Sequence, residues 1–262
     1  SSTSCFDADP GYYVDSTGSS SQTACLVGTY NPDIASNSST SCLDANQGFY
    51  VPNNGSSVQL VCLPGTYQPN SAQSSCIDAD SGYYVNSYQA ISQEPCSLGT
   101  YQPQAAQIGC YDADPGHYVD LQAAAIQTPC LAGSYNPSSS STSSDSCMDA
   151  DSGYYVPSEG ASSQLICLEG TYQPSEGQLS CLDSPEGTYV MNQGQSEYIE
   201  CLSGTYQPNK MSTSCIAADV GNFSSGKMSI GQTPCSSGTY QPNSGQSFCL
   251  DADVGYYVSL EG

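Results

Sequence analysis

The stretch CLPGTYQPNSAQSSCIDADSGYYV, residues 62–85, decides how the rest of the chain is read. It contains Gly-x-Tyr twice, at Gly65 and Gly82, seventeen residues apart. The first copy has a cysteine three residues before its glycine, Cys62. The second has one six residues before, Cys76, and puts Asp78-Ala79-Asp80 where a nearer cysteine would stand. Outward from this pair, Gly-x-aromatic recurs fifteen times between Gly11 and Gly255, and twelve of the fourteen gaps are 17 residues while the other two are 20. The aromatic is Tyr in every copy except Phe223. A period this regular marks a tandem array.

The cysteines alternate between the two offsets, so the physical unit is 17 residues and the covalent unit is two of them, 34. A third level is visible at 105 residues: VPNNGSSVQLVCLPGTYQP at Val51 returns as VPSEGASSQLICLEGTYQP at Val156, and DADPGYYVD at Asp7 returns as DADPGHYVD at Asp112. Both 20-residue gaps come from a three-residue, serine-bearing extension, in NPDIASNSSTSC and NPSSSSTSSDSC; a third extension expected between Cys235 and Cys249 is missing. The expected organisation is therefore one continuous array divided into superrepeats at 1–105, 106–210 and a partial 211–262.

Composition limits the partners. The chain has 25 acidic residues against Lys210 and Lys227, no Arg, and a formal net charge of −23. Nucleic acid and anionic membrane surfaces are both bound through Lys and Arg, so neither is an expected partner. Divalent cations, cationic surfaces and glycans stay open. Fifteen cysteines beside a single His predict disulfides in an oxidising compartment rather than zinc, which clusters its ligands in short pairs or with histidines. No apolar run reaches the length of a membrane span, and no signal-peptide pattern is present. The chain opens without Met and closes part-way through a repeat, as expected of a segment or a processed product.

The modules read as short β-turn units. Glycine before an aromatic in every unit predicts a fixed turn that delivers a ring to a shared interior, with the second residue after Gly inward and the first more exposed. Pro follows two places after the ring in the cysteine-bearing copies (Pro32, Pro69, Pro103, Pro137, Pro174, Pro208 and Pro242) and must end each strand there. One ring per module cannot offset a backbone ordering cost of about 1–2 kcal/mol per residue, so stacking and cross-links must hold the array. The expected fold class is small, disulfide-rich and all-β: an elongated tandem array in which the rings pile into one continuous column. Two cysteine pairings fit, near neighbours with Cys5 left over, or far neighbours beginning Cys5 with Cys25 and leaving Cys249. An odd count does not choose between them.

At CLPGTYQPNSAQSSC, Cys62 to Cys76, the chain resembles the first module of tumour necrosis factor receptor cysteine-rich domains and the related ephrin-receptor-like cysteine-rich repeats. Those modules open with Cys-Pro-x-Gly-x-Tyr and close with a cysteine at a similar distance. The resemblance covers the seven cysteine-bearing copies, about half the chain. It implies the short-loop pairing: Cys25–Cys42, Cys62–Cys76, Cys96–Cys110, Cys130–Cys147, Cys167–Cys181, Cys201–Cys215 and Cys235–Cys249, with Cys5 joined to a partner outside the chain. The other copies depart from those families by having no closing pair, and no ligand-contacting motif is matched.

Asp-Ala-Asp-x-Gly recurs at Asp7 and Asp9, Asp78 and Asp80, Asp112 and Asp114, Asp149 and Asp151, and Asp251 and Asp253. Alternate carboxylates running into a Gly turn can present oxygens to Ca²⁺, but no Glu follows at the distance an EF-hand loop requires. The plainer reading is that these aspartates cap turns. Asn37, Asn54 and Asn222 begin Asn-x-Ser sequons. The serine-rich extensions, including Ser138, Ser139, Ser140, Ser141 and Thr142, suit O-linked sugars. His117 replaces Tyr in GHYV and reads as a solvent-facing variant. No cofactor is expected beyond the Ca²⁺ alternative, and no catalytic constellation is found.

These features predict a non-enzymatic, extracellular structural protein, secreted or at the cell surface: the shaft of a filament, appendage or stalk, glycosylated, with copies of itself as partner. A receptor-like ectodomain or Ca²⁺-dependent adhesin stalk binding a protein or glycan is the alternative.

Overall fold

The computed structural model describes residues 5–261. Its secondary structure is almost wholly β: strands of two residues each, paired in two-stranded sheets, with two short 3₁₀ turns at Ser39–Ser41 and Ser144–Ser146. From Gly11 to Gly238, each turn glycine is followed by a strand, and that strand pairs antiparallel with the next strand in sequence. Thr66–Tyr67 pairs with Ile77–Asp78 in the register Thr66↔Asp78 and Tyr67↔Ile77, and Tyr155 lies opposite Leu165 in the same way. The chain is thus an array of β-hairpin modules stapled by disulfides.

The turns form because glycine occupies their third place. The NH of Thr66 donates to Leu63 O at 3.0 Å, and Gly65 between them has φ +90, the geometry of a type II turn. Leaving each turn, the chain runs for two strand residues and reaches the position occupied by Gln68 or Val85. The next residue makes no backbone N–H bond in the cysteine-bearing copies because it is proline, as at Pro69.

Consecutive modules are joined backbone to backbone. Between the Gly65 and Gly82 modules, Gly65 NH donates to Val85 O at 2.7 Å and Ala79 NH to Gly65 O at 2.9 Å. Gln68 NH donates to Ala90 O and Gln89 NH to Cys62 O, both at 3.0 Å. The same kinds of bond recur at junction after junction, among them Gly153 NH to Gln173 O and Cys167 NH to Gly153 O. The modules also approach two apart: a Cβ placed on Gly65 would sit 2.5 Å from Ala106 O, and one on Gly82 only 2.1 Å from Ala123 O.

This spacing decides the core. Burial recurs at the third residue before a turn glycine, Ala or Cys in most modules (Ala45, Cys62, Ala79, Cys96) but Ser184 before Gly187, and at the third after it, Val or an amide in most (Val51, Gln68, Val85, Gln102) but Ser224 after Gly221. The expectation that tyrosine rings fill the interior as one column is corrected here. Both residues of strands such as Tyr83–Tyr84 and Thr66–Tyr67 are half-buried, so neither is the inward one. Ring contacts are few, with Tyr101 against Tyr111 at 6.1 Å between centroids and Tyr172 against Tyr198 at 5.2 Å. Backbones this close leave room inside for Ala, Cys, Val and a hydrogen-bonded amide, and the rings stay at the partly exposed strand positions.

Contacts divide the chain into two compact units. Among the described residues, one comprises 5–114, 118–128 and 139–143; the other comprises 115–117, 129–138 and 144–261. Each is built from the same module. Among the described residues, no helix is long and apolar enough to cross a membrane.

The seventh residue after the turn glycine adopts a left-handed conformation and is often not glycine, as at Ala72 (φ 58), Ala106 (φ 59) and Met211 (φ 55). An L side chain there costs about 1–2 kcal/mol. Ala106→Gly is therefore expected to stabilise the oxidised chain by about 0.5–1 kcal/mol after the unfolded-state entropy of glycine is counted, read as a higher denaturant midpoint. Gly65→Ala, by contrast, is expected to cost more than about 2 kcal/mol, since the added methyl meets backbone and φ is positive.

Candidate functional site

What repeats chemically in this protein is the closure of each hairpin. Seven hairpins are closed by disulfides: Cys25–Cys42, Cys62–Cys76, Cys96–Cys110, Cys130–Cys147, Cys167–Cys181, Cys201–Cys215 and Cys235–Cys249. These are the short-loop pairs. In each, the first cysteine is buried in the core, as Cys62 is at 0 % exposure, and the second is half-buried beside the returning strand. Cys5 is unpaired and exposed.

The intervening hairpins are closed by a different device. Gln93 Oε1 accepts from Asp80 NH at 2.7 Å while Gln93 Nε2 donates to Asp80 Oδ2 at 2.7 Å. The same two-way clasp joins Asp9 to Gln22, Asp114 to Gln127, Asp151 to Gln164 and Asp219 to Gln232. Asn46 keeps the backbone half of it with Gln59. The clasp spans 13 residues where the shorter disulfides span 14, and its glutamine stands six residues before a turn glycine, the place Cys76 holds in the other copies. Clasp and disulfide close equivalent loops.

The Asp-Ala-Asp signature thereby resolves into three roles. Its alanine takes the core position held elsewhere by the buried cysteine. Its second aspartate holds the glutamine. Its first lies on the strand, as Asp78 does opposite Thr66 and Asp112 opposite Thr100, and is exposed. Asp7 and Asp149 are likewise exposed, as are Asp251 and Asp253. Among the described residues no three His, Cys, Asp or Glu side chains come together as metal ligands.

The Gly187 module lacks both clasp partners together. Where the aspartate belongs it has Pro185, which offers neither N–H nor carboxylate, and where the glutamine belongs it has Tyr198, whose ring packs edge-on against Tyr172 at 85°. The alternative contact there is aromatic.

Inside the disulfide loops a buried amide completes the wiring. Gln68 Nε2 donates to Ser75 O at 2.7 Å, beside Cys76, and Gln68 Oε1 accepts from Asn70 NH at 3.1 Å. Gln102, Gln173, Gln207 and Gln241 repeat the arrangement. The two loops with the three-residue extension carry asparagine instead. Asn31 Nδ2 turns back to Tyr12 O at 2.9 Å and Asn136 Nδ2 to His117 O at 3.0 Å. The extension itself becomes the 3₁₀ turn just before Cys42 or Cys147. Among the described residues every buried side-chain nitrogen or oxygen has a partner.

The remaining candidates are placed as follows. Asn37 and Asn54 are exposed, Asn222 is half-buried on the strand Asn222–Phe223, Ser138, Ser139, Ser140 and Thr142 are exposed, and Ser141 is buried. His117, expected to face solvent, is half-buried on its strand, with Nδ1 3.4 Å from Pro115 O. Burial, then the Asp114 carboxylate and then Tyr111 push the Tyr101 hydroxyl above its ordinary value. Glu200 Oε2 lies 3.8 Å from Lys227 Nζ, an exposed pair that adds little stability.

Sequence reasoning reaches the disulfides, through the resemblance at Cys62 to Cys76, and misses the clasps. Their signal is present: Gln22, Gln59, Gln93, Gln127, Gln164 and Gln232 all stand six residues before a turn glycine. No protein-family model matches the chain, and no curated protein matches its sequence.

Two measurements test the closures. A double-mutant cycle of Asp80→Ala and Gln93→Ala should give a coupling of about 1 kcal/mol, set by the one side-chain bond from Gln93 Nε2 to the charged Asp80 oxygen at an exposed site, since the Asp80 backbone N–H is still present in Asp80→Ala. Limited trypsin has two sites, Lys210 and Lys227, both exposed. A nick at Lys210 should leave one covalent chain under non-reducing denaturing electrophoresis, because Cys201–Cys215 spans it. A nick at Lys227 should release a separate fragment, because only the Asp219–Gln232 clasp spans it.

Proposed function

We propose that this chain is part of an extracellular structural protein, the shaft of a filament, appendage or stalk. The observation that carries this reading is the repetition of one junction, backbone hydrogen bonds with a sulfur or amide closure, through module after module. Such a design gives its buried polar side chains to hydrogen bonds within and between modules, as with Gln68, Gln102 and Asn31. Seven disulfides suit an oxidising compartment outside the cytosol. A surface carrying a net charge of −23 keeps such a polymer dispersed and turns away polyanions.

Copies of the chain joining end to end are the partner this reading requires, since a repeat whose junction is backbone hydrogen bonding is matched by another copy of itself. Sugars on the serine-rich loops belong to the same reading. Negative-stain electron microscopy of the oxidised full chain at increasing concentration is the test. Thin unbranched fibres of growing length are expected. A particle that stays single at every concentration would sink the proposal.

A further inference from the structure

We infer that Asn37 is the site through which this chain takes an N-linked glycan, and that the three-residue extension of its loop is what makes it available. The inference rests on the extracellular reading only in placing the chain in a secretory lumen.

Three asparagines begin sequons, and the structure separates them by what their side chains already do. Among the described residues, Asn37 is exposed with its amide in no hydrogen bond, and Ser39, the third residue of its sequon, is exposed with its hydroxyl also uncommitted. The backbone on either side is pinned. Ala35 NH donates to Ala8 O at 2.9 Å and Ser36 O accepts from Val14 NH at 2.9 Å. After the asparagine, Thr40 NH donates to Ser38 Oγ at 3.2 Å and Cys42 NH to Ser39 O at 3.1 Å. Asn37 therefore stands on the crest of a loop whose two feet are held, one by the neighbouring module and the other by the 3₁₀ turn and the Cys25–Cys42 bond. A bulky hydrophilic group there displaces nothing.

Elsewhere both sequon partners are in use. Asn54 Oδ1 accepts from Val27 NH at 2.8 Å, and Ser56 Oγ donates to Asn53 O at 2.8 Å. Gly55, beside Asn54, lies against the Tyr12 ring. Asn222 is a half-buried strand residue whose Nδ2 donates to Val220 O at 3.3 Å, and Ser224 is 3 % exposed with its hydroxyl donating to Thr205 O at 3.0 Å. The transferase meets the chain before or during folding; in the finished fold a sugar at Asn37 disturbs no bond, one at Asn222 sits on the Nδ2 that donates to Val220 O, and one at Asn54 hangs from a side chain whose Oδ1 is fixed on Val27 NH.

The donor is a lipid-pyrophosphate-linked oligosaccharide. Asn37 Nδ2 forms a bond to the sugar C1, the bond from C1 to the pyrophosphate oxygen breaks, the lipid pyrophosphate leaves, and the amide nitrogen gives up one proton. The test is the full chain sent through the lumen of a eukaryotic cell behind a secretion signal. Its peptides are then treated with an N-glycosidase in ¹⁸O water, which frees each glycan and turns the asparagine that bore it into an ¹⁸O-labelled aspartate. A tag at Asn37 is expected. Ser39→Ala should lose it completely, with the loss of one glycan mass and no change in the seven disulfides or in the melting temperature. A bare Asn37, or sugar at Asn54 or Asn222 in the fully disulfide-bonded fraction, would overturn the inference. Failure to form fibres would count against the shaft and leave the Asn37 result standing.

Discussion

The close approach of one module's backbone to the next is the constraint from which the rest follows. A turn glycine such as Gly65 uses both its N–H and its carbonyl on the following module and has a carbonyl of the module beyond that pressed against its α-carbon. An interior drawn this tight is lined by alanine and half-cystine on one side of the turn and by valine or a hydrogen-bonded amide on the other. The tyrosine rings are left at half-buried strand positions. That is how a chain with 21 tyrosines has so few ring-to-ring contacts.

A core so thin cannot hold the loops. One buried valine side chain contributes about 1.5–3 kcal/mol, and it comes once in two modules, against the ordering cost of all the residues between. Closure has to be supplied loop by loop. A disulfide across a loop of about 15 residues contributes about 3 kcal/mol in the chain-entropy model. The glutamine clasp contributes less, but it needs no sulfur in the core, and so an alanine suffices there. The same geometric problem has two chemical answers, and the Pro185 and Tyr198 module shows that when one partner of a clasp goes the other has no reason to remain. The buried glutamines make the same point within the disulfide loops: where the loop is longer the amide is one methylene shorter and finds a different carbonyl.

On the reading proposed above, such a molecule directs its specificity at its own repeat. Its buried polar groups bond to neighbours, and its exposed carboxylates sit at strand positions such as Asp78 and Asp112, spread over many modules. A shaft needs that uniformity. The irregular features are concentrated in the two extended loops, where chain length beyond the minimum is free to carry something else.

The period, the turn at each glycine, the strand stop at each proline and the all-β, disulfide-stapled class are legible in the residues alone. Each is a local matter: glycine takes the positive φ of a type II turn without steric cost, and the proline two places after the ring has no N–H with which to carry its strand further. Spacing does not separate the two cysteine pairings, since both satisfy it; the resemblance at Cys62 to Cys76 implies the short-loop pair, and the folded chain has it. Nor does it assign the roles within Asp-Ala-Asp, because a clasp between residues 13 apart is visible only when the hairpin brings Gln93 back to Asp80. The direction of the tyrosines is hidden for the same reason. Alternation along a strand says which neighbours point apart, while the distance to the adjoining backbone, a property of the tertiary structure, says which of them has room inside.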